Sequence, residues 1–260
     1  AFEVFGFGDY FRSLIETILT GKVGSIIGGG ESFQIFSGTG QGDPCSPLIF
    51  IIGLEILFLY AEHANKFEEI SCHIPNTNES ITLPVTSAFA DDNSSTLALT
   101  RENILNLLEM YNSFELISGM RLNKEKSELI CFNNTQDHLR MIQDNCNFKV
   151  VEKIKTLGFI VGSEIDIRLE NLSILKDKIR KIIGFWSKFH LSIFGRTCVV
   201  KTYIYSQLAY FSSCLSLEPA DIKWINAEVI KFVKGNEKIA DSRLFFDINR
   251  GGLGLKSISD

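Results

Sequence analysis

Apolar positions recur every three or four residues after the break Phe5-Gly6-Phe7-Gly8. Phe11, Leu14, Ile15, Ile18 and Leu19 share one face and predict a helix that Asp9 can cap. Residues 23–28 and 32–36 then read as strands joined into a hairpin by Gly28-Gly29-Gly30-Glu31. From Leu48 to Ala61 the chain is apolar nearly all round, which predicts a helix reaching about Lys66 and buried under a sheet. A polar connection over 72–83 has room for one short strand. Residues 85–99 read as two short strands around a turn at Ala90 to Asn93. Ile104, Leu107, Leu108, Tyr111, Phe114 and Leu116 or Ile117 predict a helix over 102–118 that stops at Gly119. A strand over 129–132 and a strand-turn over 155–162 follow. Leu172, Leu175, Ile179, Ile182, Trp186 and Phe189 alternate at threes and fours, the seam of an amphipathic helix, and a second helix is expected over 197–215.

Composition and charge refine this picture. A chain of 260 residues that is 45% hydrophobic can bury a sizeable core as one large domain or two small ones. Its net charge of −5 and sequence pI near 5.5 give no global footprint for nucleic acid. Locally the balance reverses, because eight basic residues face two acidic ones between Arg168 and Lys201. The six cysteines are scattered, with neither zinc-ligand spacing nor a disulfide pattern, so a reducing intracellular compartment, nucleus or cytoplasm, is expected. The Leu48 to Ala61 run is interrupted by Glu55 and is shorter than the ~18–20 residues of a membrane span, and no signal peptide is visible. The chain starts at Ala1 rather than at methionine, the expectation for a fragment.

Two stretches carry chemistry. In Phe36-Ser37-Gly38-Thr39-Gly40-Gln41-Gly42-Asp43-Pro44-Cys45-Ser46-Pro47 glycines stand at every second position. Backbone there can take positive φ and approach a ligand closely. With Ser46 as N-cap and Pro47 as the first helical residue, free N–H groups would face a phosphate; a plain turn with a cap is the alternative. In the second stretch Asp91 and Asp92 sit at a hairpin tip, where strand alternation breaks and two carboxylates can be presented together. That suits Mg²⁺ (or Mn²⁺), while a solvated Asp-Asn turn explains the residues without a metal.

Taken in order, Gln41-Gly42-Asp43-Pro44-Cys45-Ser46-Pro47-Leu48 and Phe89-Ala90-Asp91-Asp92 resemble the reverse transcriptases of non-LTR (LINE-type) retrotransposons. Gly119-Met120-Arg121-Leu122-Asn123-Lys124-Glu125-Lys126-Ser127 and Leu157-Gly158 continue the likeness, as do Leu191 to Arg196 and the tail Gly251-Gly252-Leu253-Gly254-Leu255. The resemblance implies an α+β polymerase palm, an antiparallel sheet backed by helices, over residues 1–165, followed by a helical thumb and the start of a further connection over 166–260. It implies that Asp91 and Asp92 are metal ligands and that Lys126 stands near the leaving pyrophosphate. Gly38, Gln41, Gly42, Asp43, Pro44, Ser46, Phe89 and Ala90 would face the nucleotide and template, and Leu157 and Gly158 the primer. Lys155 and the basic region, with Lys176, Lys178, Lys181 and Arg196, would follow backbone phosphates. For those cations an ordinary helical pair with solvated lysines is the alternative. The implied partners are an RNA template, a DNA primer and deoxynucleoside triphosphates, with no membrane.

The chain departs from the family pattern in four respects. It has no counterpart of the upstream strand that bears another metal carboxylate, nor of the fingers segment. Gly40 replaces the usual arginine before Gln-Gly, and Thr156 replaces an aromatic before Leu157-Gly158. Three readings follow: part of an active polymerase, an inactive retroelement remnant that binds nucleic acid or protein, and an unrelated α+β domain.

Overall fold

The computed structural model describes residues 2–3, 5–26, 28–36, 38, 40, 42–64, 66–68, 70–74, 77–132, 136–146, 148–162 and 166–257. The chain is α+β and divides into two compact units, Ala1–Leu129 with Asn134–Lys149, and Ile130–Asn133 with Val150–Asp260. The division falls at 149/150, whereas the sequence reading draws it after 165.

The first unit strings helices and hairpins together: α1 (Asp9–Leu19), β1 (Val23–Ser25), β2 (Ser32–Gln34), α2 (Ser46–His63), β3 (Ile70–His73), β4 (Ser80–Leu83), β5 (Thr86–Phe89), β6 (Asp92–Ser95), α3 (Arg101–Ser118) and α4 (Gln136–Asn145). Each strand pairs antiparallel with its sequence neighbour, and among the described residues no sheet exceeds two strands. Strands β7 (Glu128–Ile130) and β8 (Lys149–Val151) pair where the chain passes between units. The two predicted strands over 23–36 do form a hairpin. Helix α4 has no counterpart in the sequence reading, because its charged and amide residues hide the period of its few apolar ones.

The expectation that the apolar helix lies buried under a sheet needs correcting. Helix α2 buries only the stripe Leu54, Leu57 and Ala61, against Met110 and Phe114 of α3 and beside Val85 and Ala88. Leu48 and Ile51, in its first turns, are 63% and 58% exposed. A two-stranded hairpin is too narrow to cover a helix on every side. By length and composition alone this 18-residue helix could also cross a membrane.

Helix α3 begins and ends where its sequence dictates. The Thr100 hydroxyl accepts the Asn103 N–H at 3.2 Å, and Gly119 closes the helix in the left-handed region at φ 71°. A Cβ at Gly119 would meet nothing within 4 Å, so the only obstacle to a side chain is the backbone conformation. Gly119→Ala is therefore expected to lower stability by about 1 kcal/mol, and Gly119→Asn by less, measured by denaturant titration.

The second unit consists of the hairpin β9 (Lys153–Thr156) and β10 (Phe159–Gly162), then α5 (Ile167–Trp186), α6 (Ile193–Val199), a π-turn (Val200–Ile204), α7 (Tyr205–Ser212), α8 (Pro219–Lys234) and α9 (Asp241–Phe245). Leu175, Ile179, Val200, Ile204, Phe211, Ile225, Val233 and Leu244 form its fully buried centre. The predicted seam on α5 is buried at Leu172, Leu175 and Ile179, and packs on the core at Ile182 and Trp186. Phe189 lies past the end of the helix and is half exposed. The second helix starts earlier than expected, at Ile193, because the Ser192 hydroxyl accepts the Gly195 N–H at 3.2 Å. Residues 193–196 are therefore the first turn of α6 and not a linker.

Asn171 ties the hairpin to this helical core. It is completely buried, its Oδ1 accepts the Ile160 N–H and its amide donates to the Ile160 carbonyl, both at 2.8 Å, and it also donates to the Ile167 carbonyl at 2.9 Å. A side chain thus takes the place of a third strand along β10. Both polar groups of Ile160 are satisfied, which burial would otherwise make costly. The tail adds backbone bonds, Leu253 N–H to Arg243 and Leu255 N–H to Leu244, and seats Leu255 in the core.

Candidate functional site

The glycine loop is held by its own polar groups. Gly38 and Gly42 take φ of 84° and 90°, a region side chains resist. The Asp43 carboxylate accepts the Cys45 N–H at 2.9 Å and lies 3.9 Å from the Lys22 ammonium. Ser46 is the first residue of α2 and not its cap, a correction of one position; Cys45 is the N-cap and offers no side-chain bond. The Ser46 hydroxyl instead donates to the Gly40 carbonyl at 2.9 Å and closes the loop. One consequence is electrostatic: the Asp43 carboxylate is bonded to the N–H of the α2 cap residue, and its charge there disfavours a phosphate beside it. Gln41 lies outside the described residues.

The aspartate hairpin is tighter than its sequence suggests. Phe89 pairs with Asp92, Ala88 with Asn93, Ser87 with Ser94 and Thr86 with Ser95, so Ala90 and Asp91 alone form the connection. Ala90 adopts φ 54°, which lets two residues reverse the chain in place of the four expected. Pleating then sorts the side chains. Buried Thr86 and half-buried Ala88 share one face, with Ala88 on the α2–α3 core, and from that face Ser95 meets the Tyr111 hydroxyl at 3.2 Å. Ser87, Phe89, Asp92 and Ser94 share the other face and are exposed, with the two serine hydroxyls 2.9 Å apart. Asp91, in the turn itself, is exposed too. Helix α2 links the two features, since the loop leads into its N-terminus and β5 packs along it.

Adjacent exposed carboxylates offer hard oxygen donors and leave room for water and phosphate oxygens, so Asp91 and Asp92 fit Mg²⁺ or Mn²⁺ chemically. Among the described residues no third Asp, Glu, His or Cys joins them. Lys126 is exposed in a turn organised by Asn123, whose carbonyl and Oδ1 both accept the Lys126 N–H at 3.2 Å. In the second unit Leu157 and Gly158 form the two-residue tip of β9–β10, at φ 50° and 86°, and the Leu157 carbonyl accepts the Tyr210 hydroxyl at 2.6 Å. Lys155 is exposed beside that tip.

The basic region separates into cations used by the fold and cations that face water. Lys176 donates to Asp221 at 3.0 Å, and Arg168 binds the same carboxylate and Glu218. Burial alone would push the Asp221 carboxyl up. The Lys176 ammonium, the Glu218 N–H and the nearby Arg168 charge outweigh burial and hold it below the usual carboxylate value. Arg196 donates to the Leu191 and Val233 carbonyls, the latter at the end of α8, and Lys178 stands 4.9 Å from the centre of the Phe211 ring. Lys181 is exposed. Asn171, Glu218 and Asp221 are not among the residues singled out from sequence; Glu218-Pro219-Ala220-Asp221, an acidic cap with proline behind it, is the signal that marks the start of α8. No protein-family model matches the chain.

Proposed function

We propose that the chain is the palm and thumb portion of an RNA-directed DNA polymerase of a LINE-type retroelement. The observation that carries this reading is the Phe89-Ala90-Asp91-Asp92 hairpin, whose two-residue turn leaves both carboxylates in water while Ala88, on the opposite face, is fixed to a helical core. Asp91 and Asp92 would hold Mg²⁺ or Mn²⁺. Such ions lower the pKa of a primer 3′-hydroxyl and stabilise the oxygens of the leaving pyrophosphate. Gln41 and Gly42 would face the incoming nucleotide and the template. Lys126 would supply a proton to the pyrophosphate. Lys155 and Lys181 would follow the phosphates of a template–primer, in the nucleus or the cytoplasm.

A second reading, an inactive remnant that retains binding, draws on two observations. No third ligand joins the two carboxylates among the described residues, and Lys176 and Arg196 are committed to the fold. Primer extension on an RNA template with Mg²⁺ separates the readings. Residues 1–260 are expected to give no product, because two carboxylates without a third position the ions poorly. A longer chain that carries the family's first carboxylate strand and a fingers segment is expected to extend the primer. No extension by that longer chain would leave the remnant; synthesis by residues 1–260 would mean that the third ligand lies within them.

A further inference from the structure

From Lys178 to Leu217 the sequence contains no Asp or Glu but six cations: Lys178, Arg180, Lys181, Lys188, Arg196 and Lys201. Four are engaged within the unit, Arg180 with Asp177, Lys201 with the Leu253 carbonyl, Arg196 and Lys178 as above. The Lys181 and Lys188 side chains are exposed, and their ammonium groups have no hydrogen-bond or ionic partner among the described residues. Lys181 and Phe185 lie one turn apart on α5, and Lys188 and Phe189 follow in the turn just past its end. Phe185 and Phe189 are 53% and 50% exposed, with ring centres 5.4 Å apart. Trp186 touches both rings and Tyr203, itself 46% exposed, leans on Trp186 at 5.5 Å. Tyr203 belongs to the π-turn, a helix irregularity that recurs at functional sites.

Half-exposed aromatic rings between unpaired cations are poorly suited to an apolar protein partner, which would have to desolvate the lysines. They match a polyanion that also has flat faces to stack. Bases inside a duplex already stack on one another, whereas unpaired bases have free faces. We propose that this stripe is a stacking platform for single-stranded nucleic acid, with bases against Phe185 and Phe189 and phosphates against Lys181 and Lys188. The proposal rests on the nucleic-acid part of the reading above. Its readout is binding, so a chain that holds no metal and extends no primer can still pass the test.

The test uses the full chain, with fluorescein-labelled oligothymidylate and a blunt duplex of the same length, followed by anisotropy over a range of salt concentrations. The wild-type chain is expected to prefer the single strand. Phe185→Leu with Phe189→Leu keeps the apolar volume but removes the rings, and should weaken single-strand binding by at least about fivefold while leaving duplex binding unchanged. Restoring the rings as Phe185→Tyr with Phe189→Tyr should recover most of that loss. Lys181→Gln with Lys188→Gln, on a fully solvated surface, should lower the salt slope by about 1.4. Equal affinity of the leucine pair and the wild type for oligothymidylate overturns the proposal. So does equal wild-type affinity for both nucleic acids. Self-association of the chain that the leucine pair abolishes, with oligonucleotide affinity unchanged, assigns the stripe to protein contact and overturns it as well.

Discussion

Asp91→Asn, introduced into a longer chain that extends primers, is expected to reduce extension by about 10²–10³ or more. The substitution keeps the shape of the side chain and removes its charge. Asp91 is exposed in a two-residue turn and makes no hydrogen bond or ion pair among the described residues, so the fold has little to lose. Thermal denaturation should therefore give the same melting temperature for wild type and variant, while Mn²⁺ binding followed by electron paramagnetic resonance weakens together with extension. That combination separates a metal ligand from a merely structural turn residue. Full extension by Asp91→Asn would remove the metal reading from this hairpin.

The turn makes a second, smaller effect readable. Ala90 holds a backbone conformation that glycine would adopt without strain. Ala90→Gly should leave stability within about 1 kcal/mol of the wild type. Strain at a turn that bears two carboxylates has a plain physical use: it keeps the connection to two residues, so that Asp92 remains on the strand opposite Phe89 and on the face away from the helices.

What could be read from the chain beforehand depended on how local the determining interactions are. Helix α3 was legible almost to the residue, since an apolar period along it and a left-handed glycine at its end are each local signals. The hairpin at Ala90 was legible as a turn, but its length was not, because that depends on one residue accepting positive φ. The burial of α2 was misjudged for a different reason. Hydrophobicity all round a helix says what could be covered, and only the partner elements say what is; here α3 and one hairpin cover a single stripe. The fates of Lys176 and Arg196 could not be read at all. Their partners, Asp221 and the Val233 carbonyl, lie 45 and 37 residues away along the chain. No local pattern announces such a pairing, whereas Lys181 needed no partner to stay where its helix face put it.

Asp221 is where that long-range pairing should weigh most on stability. The residue is 6% exposed, and its carboxylate is answered by Lys176 at 3.0 Å, by Arg168 and by the Glu218 N–H at 3.3 Å. Removing one partner of a fully buried ion pair costs about 3–5 kcal/mol. The side chains of Lys176 and Arg168 are 25% and 29% exposed and can partly rehydrate, so Asp221→Ala should cost about 2–3 kcal/mol, seen as a melting temperature lowered by roughly 4–12 °C. Asp221→Asn should cost less, because an amide oxygen can still accept the Glu218 N–H. The comparison of wild type with Asp221→Asn has a definite sign in pH. The folded carboxyl is held below its ordinary value near 3.8, so its charge stabilises the fold at neutral pH and that contribution fades as pH falls below about 4. The stability gap between the two proteins should accordingly be widest near neutrality and narrow in acid, measured by urea denaturation across that range. A gap that stays constant from neutral pH into acid would mean that the carboxylate charge contributes nothing, leaving Asp221 as a cap for α8 and Lys176 as an ordinary surface lysine.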